Sequence, residues 1–172
     1  MGFGAIEEDS DEQDRQTWRG KHGLGEAGRG EGGMILFTPE LRAALRANHI
    51  AHLAAQRGGH AEPDPLPVVK FFSPVGAETW LATELDEDGD ILFGLADLGF
   101  GCPELGSFSL AEIASVRLPF GLSIERDLHF STVHPLSVWA DAARRAGSII
   151  GAESDLRRRA DPGGNKLPPT GG

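Results

Sequence analysis

The stretch from Pro67 to Phe130 constrains the fold most, because nearly all of the strong order signals in the 172-residue chain lie inside it. It holds three β-rich runs, Val68–Phe72, Glu78–Leu85 and Ile91–Leu98, separated by turn sequences rich in Gly, Pro and Asp. Both alternating faces of the second and third runs are largely apolar, which is typical of central strands covered on both sides. The stretch therefore predicts antiparallel hairpins with other elements packed on both faces.

Two further segments are expected to extend this sheet. Glu104–Phe108 is predicted to form a short strand or an extended crossing. Ile124–Phe130 alternates cleanly, with Ile124, Leu128 and Phe130 on the core side and polar residues on the other. This alternation is typical of a half-exposed strand.

Helix signals flank and interrupt the strands. Thr38 precedes Pro39 and is placed to cap a helix that runs to Asn48 or beyond, while Ser109–Glu112 matches a capping box. Pro135–Ala146 is amphipathic, and Gly147 is a C-cap candidate. The sequence predicts a single small α+β domain, with a mainly antiparallel sheet of about four strands, two or three packing helices and flexible N- and C-terminal tails.

Composition sets the expected boundaries of this domain. Residues 1–33 are acidic and then glycine-rich, with little to bury, and are predicted to be a disordered extension. A further hypothesis is that the start is mis-assigned and that translation begins at Met34. Residues 34–150 are predicted to be the α+β domain, and residues 151–172 a disordered tail.

The charge and the single cysteine restrict the compartment and the partners. The formal net charge is −10, so direct nucleic-acid binding and an anionic membrane surface are both disfavoured, and a protein partner with a basic surface is favoured. Cys102 cannot form an internal disulfide, and the acidic N-terminus does not resemble a signal peptide. No apolar run is long enough to span a bilayer. A cytoplasmic protein is expected.

Six segments in order along the chain carry a family resemblance: TPELRAAL, PVVKFFSP, TWLATELD, FGLADLGFGCPELG, SLAEI and ERDLHF. Together they resemble the bacterial domain-of-unknown-function family catalogued as 2958, over about Leu36 to Ile149. The resemblance implies a small protein common in proteobacteria and often carried on plasmids or integrative elements. It implies no established activity and no catalytic residues.

Glu125, Asp127 and His129 form the first candidate site. On a strand their spacing of two places all three side chains on one face, where they could bind a metal ion or act as catalytic groups. A solvated strand face gives the same pattern, and no established metal motif accompanies it. No metal and no cofactor are predicted, and the row is kept as the alternative metal site.

Asp86, Glu87, Asp88 and Asp90 form an acidic turn around a glycine. The spacing fails the calcium-loop pattern, because a glycine at the sixth position, a glutamate at the twelfth and flanking helices are required. A hairpin turn is predicted instead. The four carboxylates remain binding candidates for a basic partner.

The irregular segment around Cys102 is the third candidate. Cys102 could be a nucleophile, and Asp97 and Glu104 are binding candidates beside it. No histidine is close in sequence, so a role as a small structural residue is favoured for the thiol. Lys70 and Arg126 lie within apolar strands and are expected to pair with acids such as Asp97 or Glu84.

Two functional hypotheses follow from different classes. The favoured one is a non-enzymatic protein-interaction module associated with a mobile element, because a compact acidic fold carries no catalytic signature. The alternative is a small metal-dependent hydrolase or nuclease that uses Glu125, Asp127 and His129.

Overall fold

A computed structural model of the chain describes residues 36–160. The predicted N-terminal extension, residues 1–33, and the end of the predicted tail lie outside these residues. The described strands are β1 (Val69–Phe72), β2 (Thr79–Leu85), β3 (Ile91–Asp97), β4 (Glu104–Ser109) and β5 (Glu125–Arg126). They form one sheet in the order β4-β3-β2-β1-β5, and each neighbouring pair is antiparallel.

Four helices complete the described fold: α1 (Pro39–Gly58), α2 (Leu110–Ser115), α3 (Leu136–Ala146) and α4 (Ile149–Ala160). The predicted α+β class with a mainly antiparallel sheet is confirmed. The sheet has five strands where about four were expected, and there are four helices where two or three were expected.

The sheet is covered on both faces, as its two-sided apolar pattern predicts. All seven residues of β2 are buried. One face packs against α1 and α2 through a core that includes Leu45, Phe71 and Ile113. The opposite face packs against α3 and α4, where Leu81 and Trp139 belong to the second core. Each fully buried side chain of this size contributes roughly 1.5–3 kcal/mol relative to an exposed one.

Side-chain caps fix the helix ends near the predicted positions. The Thr38 hydroxyl accepts the Leu41 amide at 3.4 Å at the start of α1, and the Ser109 hydroxyl accepts the Glu112 amide at 3.1 Å at the start of α2. Gly147 follows α3 with a φ of 71°, the left-handed conformation that favours glycine. These caps confirm the predicted starts of α1 and α2 and the predicted end of α3, whereas α2 ends at Ser115, earlier than the predicted stop at Pro119.

The predicted strand over Ile124–Phe130 is wrong beyond Arg126. Only Glu125 and Arg126 pair with β1, because an Asp127 carboxylate oxygen accepts the His129 amide at 3.0 Å and turns the chain. Leu128, which was expected in the core, is consequently 61 % exposed.

The predicted tail boundary at Ile150 is also wrong, because residues 151–160 belong to α4. Ile149, Ala152 and Leu156 are buried in the core shared with α3. The buried Asp97 carboxylate accepts the Ile149 amide at 2.9 Å and so satisfies one of the free amides at the start of the helix. Burial of this apolar stripe stabilises the helix.

Candidate functional site

A groove of about 460 Å³ lies beside β5, between the end of β1 and α4; we call it the Lys70 groove. The chain reversals that follow β1 and β5 bring its walls together. Its lining residues are Lys70, Phe72, Ser73, Gly76, Thr79, Arg126, Asp127, Leu128, His129, Ile150 and Glu153.

The rim of the Lys70 groove is apolar and open to solvent. Leu128 is exposed because of the turn after β5, and Ile150 is 48 % exposed on the first turn of α4. Phe72 adds a half-buried ring to the same wall. Apolar cavities with a small number of fixed polar groups are the usual form of binding sites.

Lys70 supplies the fixed polar wall. Its Nζ lies 3.2 Å from an Asp127 carboxylate oxygen and donates to Glu153 Oε2 at 2.7 Å. The Lys70 side chain is 12 % exposed, so both pairs are largely shielded from water. Glu153 is also paired with Arg157 at 2.6 Å. This network joins β1, the turn after β5 and α4 across the groove.

Asp127 is held as a carboxylate. Partial burial raises its pKa, but the hydrogen bond from the His129 amide and the Lys70 ammonium outweigh burial and leave the pKa below its ordinary value. An ionised carboxylate accepts hydrogen bonds and cannot serve as a general acid near neutral pH. The group is therefore suited to binding and orientation.

Two other lining residues carry buried donors without a partner. Arg126 Nη1 and Ser73 Oγ are inaccessible to water and find no hydrogen-bond partner among the described residues. Buried polar groups are nearly always satisfied in proteins, so each such atom calls for an explanation. A side-chain shift that opens these atoms to the groove would let an acceptor oxygen of a bound molecule satisfy them.

The alternative metal site, the row of Glu125, Asp127 and His129, does not form. Asp127 and His129 line the groove, whereas Glu125 pairs with Phe72 in the sheet and is not a lining residue. Across residues 36–160, no group of three His, Cys, Asp or Glu side chains is arranged to hold a metal ion. The turn at Asp127 removes the common strand face on which the alternative site depended.

A family model described as Protein of unknown function (DUF2958) matches residues 36–150. The chain belongs to this family. The match contains the whole sheet and α1 to α3, and it ends before Glu153, so one member of the Lys70 network lies beyond it. Searches of curated proteins and of solved structures give no significant match. Within the described residues, no helix of this DUF2958 member combines the length and hydropathy needed to cross a membrane.

Asp97 serves the fold of the DUF2958 domain. Its side chain is fully buried, and its two carboxylate oxygens accept the amides of Gly99 and Ile149 at 2.9 Å each. It does not pair with Lys70, whose partners are Asp127 and Glu153. The expected pairing of Lys70 with Asp97 or Glu84 is wrong.

Cys102 and Glu104 lie in a second, separate cavity of about 530 Å³ that Arg144 of α3 also lines. The thiol is exposed and lies 3.5 Å from the Phe100 carbonyl oxygen, to which it donates a weak hydrogen bond. The lining residues of this cavity include no histidine, so a Cys–His pair is not formed there.

The acidic turn lies at the opposite end of β2 from the groove. Asp88 accepts the amides of Asp90 and Ile91, and Asp90 accepts the Ser109 hydroxyl and the Ala111 amide at 2.7 Å each. A hydrogen bond shared with Asp88 raises the pKa of Asp86 and lowers that of Asp88. The predicted hairpin turn is thus present, and two of its carboxylates hold the turn and the start of α2.

One polar cluster was missed at the sequence level. Glu84 is buried in β2, and its carboxylate contacts His52 Nδ1 at 2.9 Å and His49 Nδ1 at 3.3 Å. Its hydrogen bond with His52 raises the pKa of that imidazole. The available signal was the pair of histidines three residues apart on α1 together with an acid in an apolar strand, but only the packing of α1 on β2 brings them together.

Proposed function

We propose that this DUF2958 protein is a non-enzymatic protein-interaction module that binds a segment of a partner protein in the Lys70 groove. The observation that carries this proposal is the pairing of an exposed apolar rim, Leu128 and Ile150, with the preformed Lys70 network. A preformed site loses little conformational entropy on binding. An apolar side chain of the partner would cover the rim.

Polar groups of the groove fit the backbone of such a segment. A small side-chain shift of Arg126 or Ser73 toward the groove on binding would let these buried donors reach carbonyl oxygens, which an extended peptide presents along its length. The ionised Asp127 would accept an amide of the partner. Neither role requires a chemical step.

The charge of the domain favours a basic partner. Residues 36–160 contain 17 acidic and 11 basic side chains, a formal net charge of −6. Complementary charge accelerates association and disfavours wrong partners. The segment is therefore expected to carry Lys or Arg next to its apolar anchor. The cytoplasmic location and the mobile-element context stay predictions.

Selection of displayed random peptides against the full chain tests the proposal. Enriched peptides are expected to contain an apolar residue flanked by Lys or Arg, and Leu128→Asp or Ile150→Asp should weaken their binding at least about tenfold, because a charge would be buried at the rim. Ile50→Asp is the matched control, since Ile50 is an exposed apolar residue of α1 outside the groove. Enriched peptides that bind Leu128→Asp and Ile150→Asp unchanged would refute the groove as the binding site.

A further inference from the structure

The turn between α2 and β5 presents an aromatic ring to solvent. Phe120 lies in the short turn Pro119–Gly121 and is 94 % exposed, the highest value among the large apolar side chains that the structure describes. The ring is not among the residues of either apolar core. The Phe120 ring therefore does not stabilise the fold through burial of apolar surface.

The backbone at Phe120 is also unfavourable for this residue. Phe120 has φ 63° and ψ 20°, and the next residue, Gly121, has φ 74°. The Leu122 amide donates to the Pro119 carbonyl at 3.3 Å and closes the turn. Together with positive φ at both central residues, this bond is typical of a type I′ turn. Gly, Asn and Asp are preferred there, and another L-residue costs roughly 1–2 kcal/mol. In residues 36–160, no other non-glycine residue has a positive φ.

The base of the turn is well fixed. The Leu118 amide donates to the Leu122 carbonyl at 2.9 Å, and Leu118 and Val116 pack against the core that contains α1. Arg117 folds back and donates to the carbonyls of Ala114 and Val116. The ring is thus held away from the core on a closed turn with an anchored base.

We propose that Phe120 is the anchor of a second interaction surface, and that it inserts into an apolar pocket rimmed by Lys and Arg side chains on a partner protein. Aromatic residues presented on a rigid backbone are typical centres of protein interfaces, because little entropy is lost when they bind. The net charge of −6 over residues 36–160 favours a basic rim and opposes pairing with a second copy. Phe120 is not a lining residue of the Lys70 groove, so this inference does not rest on that site.

Photocrosslinking combined with a conformationally matched substitution tests the proposal. Benzoylphenylalanine placed at residue 120 of the full chain in native host cells should crosslink to one protein, whose adduct mass spectrometry identifies. With that protein purified, Phe120→Asn should reduce its affinity at least about thirtyfold, since interface anchors contribute about 2 kcal/mol or more. The melting temperature of Phe120→Asn should stay equal or rise, because Asn tolerates the left-handed conformation.

Phe100 provides the control, because it is 83 % exposed and has no positive φ. Benzoylphenylalanine at residue 100 should not give the same adduct, and Phe100→Asn should leave the affinity unchanged. The proposal is overturned by equal adducts at both positions, by an unchanged affinity of Phe120→Asn, or by a lower melting temperature of that variant. It is also overturned if Phe120→Asn abolishes binding to phosphatidylcholine–phosphatidylglycerol vesicles or dissociates a homodimer in ultracentrifugation. These outcomes do not depend on the result for the Lys70 groove, in which peptide binding is measured with Leu128→Asp and Ile150→Asp.

Discussion

Glu84 is a buried carboxylate that receives its contacts from α1. His49 and His52 lie on consecutive turns of that helix and both approach its oxygens, while Glu62 lies 3.7 Å from His52 Nε2 on the outer side. A buried charge without a partner is costly, so these contacts hold α1 against β2 as well as satisfying Glu84. The packing of α1 on β2 is therefore sensitive to the charge of the His52 imidazole.

Raising the pH is expected to weaken the packing of α1 on β2. The folded-state pKa of His52 is raised above its ordinary value of 6.5, first by the hydrogen bond to Glu84, so the stabilisation is complete below about pH 6.5 and is lost as pH rises through the raised pKa. The free energy of unfolding should fall by about 1 kcal/mol, the scale of a partly exposed ion pair. Urea denaturation at acidic and alkaline pH measures this slope. The substitution His52→Gln should reduce the change of the unfolding free energy with pH, whereas His60→Gln, at an exposed position, should not. An unchanged pH dependence in His52→Gln would show that another group causes it.

Lys70 shows how far single residues could be predicted. Its position in an apolar strand indicated that it needs an acidic partner, and this requirement is met. The partners could not be identified from sequence, because Glu153 lies 83 positions away in a helix that had been assigned to the tail. Asp127 lies next to Lys70 because of strand pairing followed by a turn, and neither is encoded by local spacing.

At the level of elements, the pairing of β2 with β3 depends on a glycine. Gly94 faces Ala82 across the pair, and a Cβ at Gly94 would overlap the carbonyl oxygen of Leu81. The register between these strands shifts between Ala82 and Glu84. The close approach of the two backbones at this place therefore requires a residue without a side chain.

Gly94→Ala should destabilise the domain by about 3 kcal/mol, because the overlap involves rigid backbone. Gly106 is the matched control, since it pairs directly with Gly94 in β4 and a Cβ there meets nothing within 4 Å. Gly106→Ala should be neutral or slightly stabilising, as alanine is favoured over glycine in strands. Thermal and urea denaturation of the two variants compare them. Equal stability of both variants would show that the close approach is not required.

Local signals explain which elements could be predicted. The caps at Thr38, Ser109 and Gly147 involve neighbours in sequence and were found. The end of β5 was missed because the Asp127 side chain competes for the backbone of its own strand. α4 was missed because its apolar residues, Ile149, Ala152 and Leu156, are separated by glycine and a charged run. Their spacing of three and four was the signal that could have found it.

Residues 36–160 form a sheet between two helical layers, and the second layer depends on α4. The two-sided apolar pattern of the central strands was sufficient to predict covered faces. That strand pattern could not show that one of the two covering layers is completed by Ile149, Ala152 and Leu156. The fold therefore extends ten residues beyond the boundary that composition suggested.

A chain shortened to end at Ile150 should be less stable than the full chain by at least about 3 kcal/mol. It loses the burial of Ala152 and Leu156, where truncating a single buried leucine costs about 2–5 kcal/mol, and it leaves Lys70 without Glu153. A chain ending at Ala160 keeps these contacts and is the control. Urea denaturation measures the free energy of unfolding of the full chain and of the two shortened chains. Equal midpoints and slopes for the chains ending at Ile150 and Ala160 would show that α4 contributes no stability.

The Lys70 network also fixes when the groove can exist during protein synthesis. One wall comes from the middle of the chain, and Glu153 comes from α4, among the last described residues. Because a ribosome adds residues from the N-terminus, Lys70 leaves the exit tunnel long before Glu153 is made. The proposed partner would therefore bind only after α4 has emerged, and a shorter nascent chain would carry the sheet before it carries the site.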